Sequence, residues 1–228
     1  MEMTLHSAGS HPRPDRRCAF CAHTALDVVL AETEHFLVIA DHAPLAEGHL
    51  LIVPREHYAC YGALPEPFDD EARELRERAT RFLTDTYRAP IFFEHGVFRQ
   101  TVFHAHLHAL PLGAADAGFA DEVGRIGCPA PSSDALRAWY AAQGHYFYLE
   151  TLREDMGQRE ALLFPPDMEV YFQVMGTLRA HTAATAAWIP PALRQAQGGA
   201  KMRKLAANWR AYFGESDLAN APDEEAGD

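Results

Sequence analysis

The spacing of apolar and polar positions changes along the chain. Leu26 to Ala31 and Phe36 to Ala40 are short apolar runs rich in branched side chains, separated by Glu32-Thr33-Glu34. That pattern predicts two strands around a turn. Asp41-His42-Ala43-Pro44 breaks the second run, and Leu50 to Val53 predicts a third strand closed by Pro54. From Phe68 to Tyr87 the period lengthens. Ala72, Leu75, Ala79, Phe82 and Leu83 recur at three and four residues behind the acidic first turn Asp69-Asp70-Glu71, which predicts one long helix. Ile91 to Phe93 and Thr101 to Leu110 return to strand, the latter ended by Pro111.

Past Pro111 the texture shifts. Gly113 to Ser133 is rich in Gly, Ala, Pro and Ser and reads as loop. Asp134 to Ala142 predicts a short helix capped by Ser132 or Ser133. Tyr146 to Thr151 and Ala161 to Phe164 pair as a hairpin, Pro166 to Ala184 reads as helix, and Lys201 to Phe213 as a last helix after Gly198-Gly199. The expected organisation is a loose arm at 1–17, a β-rich unit at 18–112, an extension at 113–214 packed on it, and a tail at 215–228.

Composition narrows the function classes. With 228 residues, 48% of them hydrophobic, the chain can bury a sizeable core. A net charge of -12 excludes a nucleic-acid grip by a basic surface. Half of that charge sits on the tail acids Glu215, Asp217, Asp223, Glu224, Glu225 and Asp228, so the tail reads as disordered and solvated. No apolar run approaches the length of a membrane span, and the first residues lack the apolar core of a secretory signal. A cytoplasmic protein is expected. In a reducing compartment its four cysteines do not form a disulfide framework. The pair Cys18-Ala19-Phe20-Cys21 then reads as metal ligands, with a redox pair as the alternative. Cys60 and Cys128 are expected as small buried apolar residues.

The sharpest signal is Gln100-Thr101-Val102-Phe103-His104-Ala105-His106-Leu107-His108-Ala109-Leu110-Pro111. On a strand, alternation puts His104, His106 and His108 on one face and the apolar residues on the other. Packing alone gives no reason for three imidazoles in a row.

This segment resembles the signature of the histidine triad (HIT) family of nucleotide hydrolases and transferases, His-x-His-x-His-x-x with apolar x, which His104 to Leu110 matches fully. Asp41 to His57 is similar to a second family block: Gly-His, an apolar run, then Pro, a basic residue and His. Cys18-x-x-Cys21 resembles the zinc-binding branch. The resemblance implies an α+β fold, with an antiparallel sheet of about five strands and a helix on one face, followed here by a mixed α/β C-terminal extension. It implies a nucleotide phosphate hydrolase or nucleotidyltransferase acting at the α-phosphorus through a covalent nucleotidyl-histidine. His106 would be the nucleophile, since a neutral imidazole aimed by its other nitrogen can attack phosphorus. A backbone carbonyl would set its tautomer, and His108 would contact the phosphate or leaving group and assist proton transfer. Gln100 and Thr101 match phosphate-contacting positions, and Asp41 matches a position near the ribose hydroxyls.

In zinc-binding relatives the ligands correspond to Cys18, Cys21, His57 and His104, a closed structural site; His49 is a rival fourth ligand. The substrate would be a small nucleotide, with no nucleic acid or membrane partner, and the assembly a homodimer. One position departs. Where many relatives carry a phosphate-contacting Asn, this chain has Glu94, whose carboxylate would repel phosphate. Glu94 therefore changes the substrate, binds a cationic or hydroxylated group, or turns away and pairs with an arginine such as Arg99. The neighbouring His95 is expected to be exposed. Of the extension's cations, any of Arg153, Arg159, Arg179, Lys201, Arg203 and Lys204 could reach a polyphosphate or an anionic acceptor, while most are expected to be solvated. Trp139, Tyr146, Tyr148 and Trp209 read as core. Two rivals remain: a nucleotide-binding regulatory module without turnover, motivated by Glu94, and a zinc-only interaction module. A transferase for a specialised small-molecule acceptor is the enzymatic variant.

Overall fold

A computed structural model of the chain describes residues 18–22, 26, 28–115, 117–153, 156–181 and 190–214. The expected arm at 1–17 and acidic tail at 215–228 lie outside the described residues. The architecture is α+β, built on a single antiparallel sheet. Its strands are β1 Val29–Glu32, β2 Phe36–Ala40, β3 Leu50–Pro54, β4 Ile91–Gly96, β5 Leu107–Leu110, β6 Cys128–Pro129, β7 Tyr146–Arg153 and β8 Gln158–Phe164. They lie in the order β1-β2-β3-β5-β4-β7-β8-β6. The expected five-stranded sheet is the part formed by β1 to β5. The extension does not merely pack on it: its hairpin continues the sheet, pairing β7 with β4 from Phe92↔Glu150 to Gly96↔Tyr146. A sheet edge exposes unpaired N–H and C=O groups, and this hairpin satisfies those of β4. Gly96 makes the close approach possible, because a Cβ there would lie 2.3 Å from the Tyr146 ring.

The helices are α1 Asp69–Thr86, α2 Ala117–Gly124, α3 Ser133–Gln143, α4 Met168–His181 and α5 Pro191–Phe213. The apolar stripe of α1 (Ala72, Leu75, Ala79, Phe82, Leu83) is buried, as its three-and-four spacing predicts. With Leu136 of α3 and Leu205, Ala206 and Trp209 of α5 it covers one face of the sheet, over Val38, Leu50, Ile52, Phe92 and Leu107. Trp209 is 1% exposed and packs edge-on against Phe82 at 4.8 Å, which ties the end of the chain to α1. The other face carries two separate apolar clusters. Cys18 and Phe20 lie over Leu37, Ile39, Leu51 and Val53. Phe119 and Val123 of α2 and Val174 of α4 lie over Phe93, Phe147, Leu149 and Phe164.

Four expectations are corrected. The fifth strand begins at Leu107 rather than Thr101. Its partner β3 ends at Pro54, and the Ala105 N–H bonds instead to the Tyr58 carbonyl outside any strand. The expected loop at 113–133 contains α2, because Phe119 and Val123, one helical turn apart, bury against the sheet. The last helix runs through Gly198-Gly199 instead of starting after it. A Cβ at Gly198 would meet the His42 carbonyl at 2.5 Å, so the glycine serves close packing and not a break. Cys60 is buried as expected, but Cys128 is exposed on the two-residue strand β6. Among the described residues no helix is long and apolar enough to cross a membrane.

Candidate active site

The histidines stand on the face that carries the two apolar clusters. His108 points there from β5, and its ring stacks on Phe93 at 4.2 Å between centroids. His106 lies beside it, 4.9 Å between centroids, with Phe20 against its edge. The His104 carbonyl lies 2.6 Å from His106 Nδ1. A carbonyl only accepts, so Nδ1 holds the proton and Nε2 keeps its lone pair. Burial lowers the His106 pKa below its ordinary value, which keeps the ring neutral. His108 is held well below the ordinary value by burial first, then by the charges of His106, His49, His95 and Arg194.

His49 proves to belong to this group and not to the cysteines. Its Nε2 lies 2.9 Å from His108 Nδ1. Its Nδ1 accepts from the Leu45 N–H at 3.2 Å and also lies 3.4 Å from Asp41 Oδ2. These two contacts ask for opposite tautomers. The amide requires a lone pair on Nδ1, which puts the proton on Nε2 and makes His108 carry its own on Nε2. The carboxylate requires a proton on Nδ1, which reverses the His49–His108 bond and leaves His108 Nε2 bare. Burial drives His49 to a pKa of about 4 and His108 well below its ordinary value, so the pair is neutral in either arrangement. Asp41 is nearly buried; its Oδ1 accepts from the Ala43 N–H at 2.7 Å. Asp41, His49 and His108 also have ligand-type atoms within 4.8 Å of one another, but the 2.9 Å contact between the rings is a hydrogen bond.

Cys18, Cys21, His57 and His104 converge separately, with their ligand atoms within 4.8 Å of one another. His104 Nδ1 is 3.4 Å from both Cys18 Sγ and Cys21 Sγ, and His57 Nδ1 is 3.2 Å from Cys21 Sγ. A tetrahedral ion with Zn–S near 2.3 Å and Zn–N near 2.05 Å sets such edges at about 3.5 Å. The Pro54 carbonyl accepts from His104 Nε2 at 2.7 Å, which leaves the Nδ1 lone pair facing the thiols. A carbonyl on the far nitrogen is the usual second partner of a metal-bound histidine. The four residues can hold a metal, and the donor set suits zinc.

The other expected residues are divided. Gln100 is buried and its amide donates to the Ala59 carbonyl at 2.9 Å, while Thr101 is exposed. Both follow a tight passage in which Val97 (φ 71°) and Arg99 (φ 62°) adopt the left-handed region, strained for non-glycine residues. Glu94 does not join the histidines. On β4, Phe93 and His95 face His108, and strand alternation turns Glu94 to the opposite side. There it accepts from Tyr146 Oη at 2.5 Å and from the Tyr61 N–H at 2.8 Å, not from Arg99. His95, expected to be exposed, is half-buried among Phe93, Phe147 and Tyr171.

The extension contributes a cation that the sequence did not single out. Arg194, near the start of α5, donates to the Ala43 carbonyl, and its charge lowers the pKa of His49 and His108. Of the cations expected to reach substrate, Arg153 pairs with Asp121 and Glu160, Lys204 with Glu47, and Arg159 with Glu150 on the far side of the sheet.

Residues 23–114 match the HIT domain. The adenosine 5'-monophosphoramidase of Saccharomyces cerevisiae is 30% identical over 125 residues, covering 53% of this chain and 75% of that protein. A HIT-like protein of Chlamydia pneumoniae is 36% identical over 93 residues, covering 36% of this chain and 82% of that protein. Among solved structures, a Zn-bound histidine triad family protein from Mycobacterium smegmatis is 29% identical. The match covers 41% of this chain and 73% of that one, with a TM-score of 0.36.

Proposed function

The chain belongs to the HIT family, and from that premise we propose that it hydrolyses a nucleotide at its α-phosphorus through a covalent intermediate on His106. The observation that carries this reading is the 2.6 Å bond from His106 Nδ1 to the His104 carbonyl, which keeps Nε2 unprotonated and aimed. In the first half-reaction the Nε2 lone pair attacks phosphorus while His108, which takes up a proton on binding the anionic phosphate, gives its Nε2 proton to the leaving group and returns to neutral. In the second, water attacks, His108 accepts its proton, and the electron pair of the P–N bond returns to His106. The two half-reactions need His108 first as acid and then as base. With His49 protonated on Nδ1 toward Asp41, its Nε2 accepts from His108 Nδ1 throughout, which leaves His108 Nε2 to give and then take the proton. Asp41 is assigned to the ribose hydroxyls, and Gln100 and Thr101 to the phosphate.

The yeast relative's name supports a phosphoramidate, an AMP whose phosphorus bears nitrogen. An amine leaving group needs a proton, and His108 can supply it. Transfer to a small-molecule acceptor is the second reading, favoured by Arg194, which brings a charge from the extension to the histidines. Zinc on Cys18, Cys21, His57 and His104 would be structural, holding His104, whose carbonyl orients His106. A homodimer, as the resemblance implies, would have to use a surface other than the edge of β4, which β7 occupies. Four cysteines, none joined in a disulfide, suit the cytoplasm.

The test is mass spectrometry of the protein incubated with nucleoside phosphoramidates, dinucleoside polyphosphates and nucleotide sugars, beside His106→Ala. Release of a nucleoside monophosphate that vanishes in the variant is the expected result. Equal release by the variant, or none by the wild type with any substrate, overturns the reading.

A further inference from the structure

On the face of the sheet away from the histidines there is a cavity of about 480 Å³ between α1, the start of α3 and strands β4, β5, β7 and β8. Pockets for small ligands run from about 300 to 1,000 Å³. Leu107 and Ala161 are among its apolar lining, and Glu94, Tyr148 and Glu150 are its buried polar groups. The first 112 residues supply one wall and the extension the other. Leu107 sits between His106 and His108 in the chain, so the cavity and the histidine site lie back to back.

Its charges are unevenly placed, with cations gathered at one wall. Arg76 from α1 and Arg159 from β8 both pair with Glu150, which is 5% exposed. Tyr148 Oη donates to the same carboxylate at 2.7 Å. Two guanidinium groups thus share one carboxylate, which leaves one unit of positive charge at this wall of the cavity. The acids on its rim are engaged elsewhere. Asp69 and Asp134 share Arg137, at 2.8 and 2.6 Å, and Asp70 and Glu77 share Arg73, each at 3.1 Å, so the rim holds acids in excess while the Glu150 wall holds cations in excess. Glu94 offsets little of the excess, since burial raises its pKa to about 8.

The two arginines are also held in place. Both lie over the Phe92 ring, at 5.4 and 4.9 Å, and Arg159 donates to the Pro90 carbonyl at 2.8 Å. They remain partly open, Arg76 at 32% and Arg159 at 24%. An ion network that served only to join α1 to the hairpin would be filled, because unfilled space costs stability. A fixed guanidinium pair beside an apolar hollow is suited to a charged head group on an apolar body.

We propose that this cavity binds a small organic anion, with a carboxylate or phosphoryl head held by Arg76 and Arg159 and an apolar body lying over Leu107 and Ala161. A hydroxyl or amine on that body would meet Glu94, whose oxygens have lone pairs to spare.

The test is isothermal titration of phenyl phosphate and of benzoate into the full-length protein, with and without AMP. It is repeated for Arg76→Gln, which removes one guanidinium, and Ala161→Phe, which fills the cavity and leaves every charge in place. One of the two anions is expected to bind the wild type, with AMP present or absent. Its affinity should fall at least about tenfold in Arg76→Gln, a loss of about 1.4 kcal/mol, and vanish in Ala161→Phe. The anion that binds more tightly identifies the head group. Circular dichroism of each variant separates lost binding from lost folding. No binding of either anion to the wild type, displacement of both by AMP, or equal affinity in wild type and a folded Ala161→Phe would overturn the proposal.

Discussion

His49 Nε2, just before β3, and His108 Nδ1, on β5, lie 2.9 Å apart, and this bond ties the tautomer of His108 to that of His49. The histidine triad of the sequence is therefore hydrogen-bonded to a fourth histidine. Replacing His49 with Phe leaves the tautomer of His108 unconstrained. We expect kcat for release of a nucleoside monophosphate to fall about 10–100-fold, a part of the effect of a general acid–base, with metal content unchanged. Steady-state kinetics and elemental analysis on the same preparation check both halves. Loss of metal in this variant would return His49 to the ligand set.

Cys21→Ser and His57→Ala act at the other cluster. One metal ion per chain is expected in the wild type and much less in either variant. Because a structural metal adds its binding energy to folding, the thermal midpoint should drop in both. Chelator should lower the wild-type midpoint and leave those of the variants nearly unmoved. Differential scanning calorimetry with elemental analysis measures this.

Stability should pass through a maximum near neutral pH. His49 and His95 have folded pKa values of about 4 against an ordinary 6.5, mainly through burial. Between those values the unfolded chain binds more protons, so stability is lost as pH falls through that window. Glu94 has the opposite sign. Its folded pKa is about 8 against an ordinary 4.5, again mainly through burial. The unfolded chain binds fewer protons in between, so stability falls as pH rises toward 8. Above pH 6.5 these histidines no longer titrate, and Glu94 alone should take away about 1–2 kcal/mol by pH 8. Glu94→Gln should flatten that alkaline limb and leave the acid limb intact in urea unfolding at a series of pH values. An unchanged alkaline limb would show that Glu94 is ionised in the fold.

Arg194→Gln tests whether the extension reaches the chemistry. The Arg194 charge lowers the pKa of His49 and His108. Its removal should shift the acid limb of kcat/KM to higher pH and raise KM for a nucleotide about tenfold, the value of one charge-assisted hydrogen bond. A pH–rate profile and KM identical to those of the wild type would separate α5 from the site.

Much of this protein was legible in the sequence because the information is local. The three-and-four spacing from Ala72 to Leu83 specified the buried stripe of α1, since helix geometry alone puts those residues on one side. Cys18-x-x-Cys21 and the alternating histidines marked candidate chemistry by residue type and spacing, and the family resemblance implied His57. Where the sequence misled, distant contacts decided. Gly198-Gly199 has the composition of a break, yet α5 passes through it because the His42 carbonyl leaves no room for a side chain. Thr101 to Ala105 alternate like a strand but have no ladder beside them, since β3 stops at Pro54.

The sequence by itself determined which side chains could do chemistry and which apolar residues could share a face, because both follow from covalent identity and backbone period. Only the tertiary structure decided that β7 pairs with β4 and that His49 serves His108 and not the cysteines. It alone turned Glu94 to the other side of the sheet and brought Arg194 to the histidines across 151 positions of chain from the Ala43 carbonyl. Each of these depends on which edge or wall a later segment finds free, and no local period encodes that.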